Sequence, residues 1–560
     1  MTDLPLSALA AQTSGPLLMD HCRAFARWIK LSGTPDEAES LRYVQARLDE
    51  YGYTTKVILP DAYISLPGRA RVEADGTTLT AITHSMGRSS PAAGLTADLI
   101  YVGDGTAADF SGKDVRGKIV LAEGIATPVV AALARAGGAV GQLHISPHHH
   151  LHEMCISPVW GNPDPNTVAQ LPSTVACTVS NADGSAIRDR RAAGDPPRIT
   201  LHAEVDTSWR KTPILEATLA APSTTADTPF ILFSGHHDTW YYGVMDNGSA
   251  NATMLETARL AATQRADWKR NLRICFWSGH SHGRYSGSTW YVDNHWDEFD
   301  RLCAAHVNVD STGGTGATEL AHAAAMAPLH ALAAEAITEQ TGHQYSGKRK
   351  NRSSDDSLPG LGIPSMFGGL SEQPPTKLKL RNALGWWWHT PEDLIDKVDE
   401  ANLVRDTKVF VHTVTKLLTD PILPLDFAAQ AHTLQEELAT LATSLGDRFD
   451  LAPLRAAADT LHHKAQRLAE TASSRDATKV NATLIALSRA LVPVDYATAD
   501  RFTYDPALPV PDWATLKPLR DLATTTPGSD AAHLHSVSAR RAANKLGHAL
   551  RSAIAILDAT

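Results

Sequence analysis

The sequence predicts an α/β fold: strands and helices packed in layers, with a β-rich stretch before them and a helical segment after them. Three observations lead there. Apolar runs at 230–233, 271–277 and 304–309 alternate with helix-like patterns such as 254–260, the rhythm of strands and helices packed in layers. Residues 58–206 carry short β-like runs broken by Gly and Pro. From about residue 421 the chain becomes Ala- and Leu-rich with helical spacing.

A length of 560 residues implies three to four domains at ~150 residues each. With 43% hydrophobic and 20% charged residues, large cores can form. The net charge of -10 argues against nucleic acid and anionic membrane surfaces as partners. No apolar run approaches the ~20 residues of a membrane span. Residues 1–15 lack a basic stretch followed by a long apolar core, so no secretory signal is expected. Five cysteines without paired spacing point to free thiols in a reducing compartment, by default the cytoplasm.

Taken in order, the chain opens with two helices. The second, 35–51, has Thr34 as cap, Pro35 in its first turn, Glu37 to complete a capping box and Gly52 as stop. In the insertion, β-like runs at 99–102, 118–121 and 198–203 surround an Ala-rich helix at 128–137. The insertion also carries His148, His149, His150, His152, Glu153 and Trp160. Their plain reading is a solvated loop. The functional one is a lid whose Trp160 or Glu153 reaches a site from outside. A further buried strand is read at 363–367, preceded by a polar turn at 353–357. In the last segment Leu434, Leu438, Leu441 and Leu445 mark one helix, and Leu461, Ala465 and Leu468 another.

The chemistry concentrates at strand ends. The stretch 235–250, GHHDTWYYGVMDNGSA, follows the first apolar run and brings His236, Asp238 and Asp246 to the sheet's carboxyl edge, where open α/β sheets bind ligands. The run 271–277 leads to His280, Ser281 and His282; the run 304–309 leads to Asp310; a tryptophan run, 386–388, carries His389. Imidazole and carboxylate are ligands for zinc and other divalent transition metals. Two such ions can share a bridging carboxylate and activate water. Asp246 is the natural bridge, with His236 and Asp310 on one ion and His389 on the other. Asp238, two residues from His236, is expected to orient that ring.

The order His-x-Asp, Asp-Asn-Gly-Ser, Gly-Ser-Thr-Trp, Asn-x-Asp and His-Thr-Pro-Glu-Asp, over about 228–393, resembles the M28 metallopeptidases. That family includes aminopeptidases and the glutamate carboxypeptidase II and transferrin receptor group. The resemblance implies a mixed-sheet, zinc-peptidase-like (phosphorylase/hydrolase-like) domain, discontinuous over 1–57 and 207–420, and the same ligand roles for His236, Asp246, Asp310 and His389. The segment 110–120, FSGKDVRGKIV, is similar to a protease-associated (PA) domain, so 58–206 is read as a PA-like insertion. Residues 421–560 resemble the helical domain that dimerises the relatives, which implies a homodimer.

One departure stands out. The family places two adjacent glutamates, a general base and a metal ligand, after the strand that here ends at Trp277. This chain has neither. Counting from Trp277 puts His280 and Ser281 there; counting back from Gly287 puts Ser281 and His282 there. His280 as base and His282 as ligand is the assignment adopted, with the reverse order and a mononuclear site left open. Arg284, Tyr285, Trp388 and Trp160 are candidate substrate contacts, Arg284 and Tyr285 for a carboxylate or oxyanion.

The leading expectation is a metal-dependent hydrolase that cleaves an amide or peptide bond of a small substrate with metal-activated water. It would use one or two divalent ions, zinc foremost, and a histidine in place of the usual Glu base and ligand. The alternatives are metal-dependent non-hydrolytic C–N bond cleavage, as by a lyase, and a non-catalytic binding protein like the transferrin receptor branch.

Overall fold

The computed structural model describes residues 6–376 and 383–560. The reading of the N-terminus falls partly on residues 1–5, outside the described residues. The sheet that carries the candidate site has eight strands: β1 (Thr54–Ile58), β2 (Ile214–Leu219), β3 (Phe230–His236), β4 (Asn271–Trp277), β5 (Cys303–Asp310), β6 (Ala324–Ala325), β7 (Lys348–Arg349) and β8 (Ser365–Gly369). Their order is β1-β2-β4-β3-β5-β8-β6-β7. β4, β3, β5 and β8 are mutually parallel, while β1 and β2 join antiparallel, so the sheet is mixed as the sequence predicts.

β3 is buried along its whole length because both its faces are covered. Phe230 and Leu232 pack with Tyr291 and Phe299, whereas Ile231 and Phe233 pack with Leu255 and Phe410 on the opposite face, the period of two that a strand imposes. Gly235 near its end has a local reason: a Cβ there would lie 2.6 Å from the carbonyl oxygen of Val309. A larger residue would push β3 and β5 apart where they deliver His236 and Asp310.

Helices α1 (Gly15–Phe25), α2 (Pro35–Glu50), α3 (Ala250–Thr263) and α4 (Glu400–Thr419) bury apolar faces in the same core. At the start of α2, Thr34 Oγ1 accepts from the Glu37 amide at 3.5 Å. The Glu37 carboxylate reaches back to the Gly33 amide at 2.6 Å, one residue before the partner a capping box would use.

A second eight-stranded sheet spans 61–211. Its spine is the antiparallel pair Asp61–Ala74 and Ile199–Lys211, with Asp61 opposite Lys211 and Ala74 opposite Ile199. The helix Pro128–Gly137 forms as expected, with Thr127 as its cap. This sheet has its own core around Leu121, Leu143, Val175 and Leu201. It meets the first sheet's turn at His282, whose carbonyl accepts from the Ser65 amide at 2.9 Å.

The last segment holds four long helices, Phe427–Leu445, Ala452–Thr471, Ala477–Tyr496 and Asp530–Asp558. The leucines at 434, 438, 441, 445, 461 and 468 are all buried in a core continuous with that of the first sheet. Arg489 fastens the segment to the strand edge, donating to the carbonyls of Phe299 (3.0 Å) and Cys303 (2.6 Å).

Candidate metal centre

Parallel strands leave their carboxyl ends on one edge, and the candidate residues converge there. His236 Nε2 lies 3.2 Å from Asp246 Oδ1 and 3.6 Å from Asp310 Oδ1. The other oxygen of Asp246 lies 3.1 Å from His389 Nε2. One carboxylate thus stands between two imidazoles, an oxygen facing each.

The loop that presents Asp246 is held from several sides. Gly243, at φ 50°, makes the turn; a Cβ there would come within 2.3 Å of the Asp246 carbonyl and 2.4 Å of Thr239 Cβ. Asp393, from the His-Thr-Pro-Glu-Asp stretch, accepts from the amides of Met245 (2.8 Å) and Asp246 (2.9 Å). Asn247 donates to the His236 carbonyl at 3.1 Å and accepts from the Ser311 amide at 2.8 Å, tying the ends of β3 and β5 together.

The ring of His236 is oriented through its Nδ1, which donates to a main-chain carbonyl, that of Asp238, at 2.7 Å. This corrects the expectation that the Asp238 side chain does so. Beyond His236 the chain has left the strand, so the carbonyl of Asp238 lies beside the ring and its carboxylate faces the next turn. There it accepts from Ser32 Oγ (2.6 Å) and from the amides of His280 (3.2 Å) and Ser281 (2.9 Å). His389 is oriented in the same manner by the second sheet's connection: its Nδ1 donates to the Glu153 carbonyl at 2.7 Å, and the Glu153 amide donates to the His389 carbonyl at 3.1 Å.

Among the described residues, His236 Nε2 and Asp246 Oδ1, 3.2 Å apart, are buried without a hydrogen bond. Buried polar atoms are seldom left so. A divalent cation accepting both would complete them, and the imidazole–carboxylate set suits zinc. Burial opposes charge on His236, but Asp246 and Asp310 outweigh it and hold the imidazole's pKa well above its ordinary value. Burial likewise opposes the Asp246 carboxylate, yet His236 and His389 hold it well below the usual range.

His280 stacks face to face on His236, with ring centroids 3.6 Å apart and planes 9° from parallel. Its Nδ1 pairs with Asp355 Oδ2 at 2.6 Å. His236, His280 and Asp310 each bring one nitrogen or oxygen within 4.8 Å of the others. His282 is buried against Trp240, its Nδ1 2.9 Å from Ser32 Oγ and its Nε2 without a hydrogen-bond partner among the described residues. Burial, reinforced by the charge of His389, pushes its pKa down to about 3. The Ser281 hydroxyl is buried with no hydrogen-bond partner among the described residues.

Above these residues lies a cavity of about 480 Å³. Its walls include Trp240, Arg284, Tyr285 and Trp388. Trp160 is not among them, contrary to expectation: it lies behind Tyr285 (centroids 4.3 Å apart), carries the Arg352 guanidinium on its face at 3.7 Å and donates to Ser357 Oγ at 3.0 Å. The histidine run is no free loop either. His150 stacks on Trp386 at 4.2 Å and His152 Nδ1 donates to the Trp388 carbonyl at 2.5 Å. Sequence reasoning missed Asp355, Asp393 and the Glu153 carbonyl as supports. Only the first two left a signal, as acidic residues in the 353–357 turn and in the final motif.

Residues 217–414 match Peptidase family M28. The chain carries an M28 domain. It is 28% identical over 251 residues to the probable glutamate carboxypeptidase VP8 of Zea mays, covering 40% of this chain but 33% of the maize protein. It is 20% identical over 545 residues to the probable glutamate carboxypeptidase AMP1 of Arabidopsis thaliana, covering 82% and 76% of the two chains. This chain therefore spans only a third of the length of the maize relative it matches. Among solved structures, the Peptidase M28 precursor from Shewanella amazonensis superposes with a TM-score of 0.59 at 18% identity, over 75% of this chain and 97% of that one. The zinc aminopeptidase BSAP from Bacillus subtilis gives 0.56 at 19% identity, over 73% and 96%. These likenesses establish the M28 fold.

Proposed function

We propose that this M28 chain is a metal-dependent hydrolase that cleaves an amide or peptide bond of a small substrate. The observation that carries the reading is the Asp246 carboxylate set between His236 and His389, with buried atoms that lack partners. His236, Asp246 and Asp310 would hold one divalent ion; Asp246, His389 and His282 would hold a second, a role supported by the unpartnered Nε2 of His282. Such ions, zinc foremost, supply Lewis acidity toward a carbonyl oxygen and lower the pKa of water. The chain's own residues do the rest. His280 takes a proton from the attacking water and passes it to the leaving nitrogen, in place of the family's glutamate. Arg284 and Tyr285 bind the substrate's polar end, and Trp388 walls its body. Asp238 holds the 280–281 turn in place.

The PA-like reading of 58–206 draws support from the second sheet, and the homodimer from Leu534 and Val537, which stand exposed on the last long helix. The cytoplasm as compartment rests on five cysteines that are all buried and unpaired. No described helix is long and apolar enough to cross a membrane.

The test is elemental analysis of purified protein together with a panel of short N-blocked, C-blocked and unblocked peptides read by mass spectrometry. Stoichiometric zinc, manganese, cobalt or iron and products carrying one added water are expected. Protein without bound metal, or cleavage without added water, overturns the reading.

A further inference from the structure

Resting on the hydrolase reading, we infer that Asp355 is a positioning residue: it fixes His280 as an Asp–His pair that replaces the missing glutamate base. The geometry separates a base from a ligand. The lone pair of an imidazole nitrogen lies in its ring plane. The His280 ring stacks parallel to that of His236 with centroids 3.6 Å apart, so the two rings direct their lone pairs along separate parallel planes rather than toward one point. His236 would hold the ion, which leaves His280 to take the proton of water.

Which nitrogen takes the proton follows from the partners. Asp355 Oδ2 sits 2.6 Å from His280 Nδ1, and Asp355 Oδ1 accepts from Ser288 Oγ at 2.9 Å. Asp355 is buried, and a carboxylate with one oxygen committed to a hydroxyl donor presents the other as an acceptor. Nδ1 therefore carries the hydrogen and Nε2 the free lone pair. His280 lines the cavity, and its Nε2 forms no hydrogen bond to a described residue. In the reaction an O–H bond of water breaks and an N–H bond forms at Nε2 as the oxygen attacks the carbonyl carbon. The same proton then moves to the leaving nitrogen as the C–N bond breaks, and His280 returns to its starting form. Asp355 touches neither substrate nor reacting atoms; it sets the tautomer and the ring's direction, the part a buried aspartate plays beside histidine in serine hydrolases.

The experiment compares the metal-loaded full chain with Asp355→Asn and Ser288→Ala. In Asp355→Asn one of the two acceptor oxygens becomes an NH2 group; turned toward Nδ1 it forces the hydrogen onto Nε2, while Ser288 Oγ also has the Tyr285 carbonyl (3.2 Å) and Ser357 Oγ (3.0 Å) within reach. The expected result is unchanged metal content and KM, a kcat lower by about a hundredfold or more, and a ring 15N spectrum of His280 that switches tautomer. Ser288→Ala, which spares the Asp355–His280 contact, is expected to keep tautomer and metal, with kcat within about fivefold. An unchanged tautomer and kcat in Asp355→Asn overturns the inference; so does loss of metal, which would make His280 a ligand. Wild-type protein that shows the expected tautomer and metal yet cleaves no amide refutes the hydrolase reading and leaves the Asp355–His280 pairing standing.

Discussion

Glu153 and His389 hydrogen-bond to each other twice across the two sheets: ring to carbonyl at 2.7 Å, and amide to carbonyl at 3.1 Å. A candidate ligand of the first sheet is thus aimed by the main chain of the insertion, and the contact predicts an unusual mutational pattern. Glu153→Ala leaves both bonds in place and removes only the Tyr241 hydroxyl's partner, so metal affinity should hold. Glu153→Pro removes the amide donor and should weaken affinity by about tenfold or more, the usual effect of disturbing a group that orients a ligand. Competitive zinc titration against a chelating dye reads the difference.

Removing the metal should cost stability. Among the described residues His236 Nε2 and Asp246 Oδ1 form no hydrogen bond, so a bound ion favours the folded chain. EDTA is expected to lower the unfolding midpoint by several degrees, and added zinc to restore it. Asp246→Ala should contain no metal and show no EDTA response in the same calorimetric scan.

Arg284 lines the cavity with its Nε unpartnered among the described residues. Arg284→Leu should raise KM for substrates that carry a carboxylate by about 10–100-fold, the worth of a charge-assisted contact, while kcat changes little. Steady-state kinetics on paired free-acid and amide substrates provide the check.

The insertion should be acid-labile. His144 is buried, and desolvation pushes its pKa down from 6.5 to about 4; desolvation also carries His84, whose ring lies 6.1 Å away, well below its ordinary value. The folded state binds fewer protons than the unfolded one between these values. Stability is therefore complete above pH 6.5 and falls as pH drops toward 4, by roughly 3 kcal/mol for His144. Urea melts across this range should show the loss, and His144→Gln should flatten it.

Much of this was legible in the sequence because strand ends and ligand chemistry leave a linear trace. β4 begins and ends where its apolar run does, and His236, Asp246, Asp310 and His389 meet at the edge their strands and loops implied. The 280–282 turn was not legible. The chain there passes through Gly279, Arg284 and Tyr285, all at positive φ, and no residue type announces which side chain such a turn points inward. The supports of His236 and His389 were hidden for a different reason: both are main-chain carbonyls, which every residue possesses. Trp160 misled because an aromatic near a pocket serves equally well to pack behind its wall.

The chamber over the strand ends has consequences for the length of molecule it can process. At about 480 Å³ it falls within the ~300–1,000 Å³ span of pockets that enclose small ligands. That room matches the small substrate of the proposed hydrolase, and a longer chain would have to extend past the walls named above.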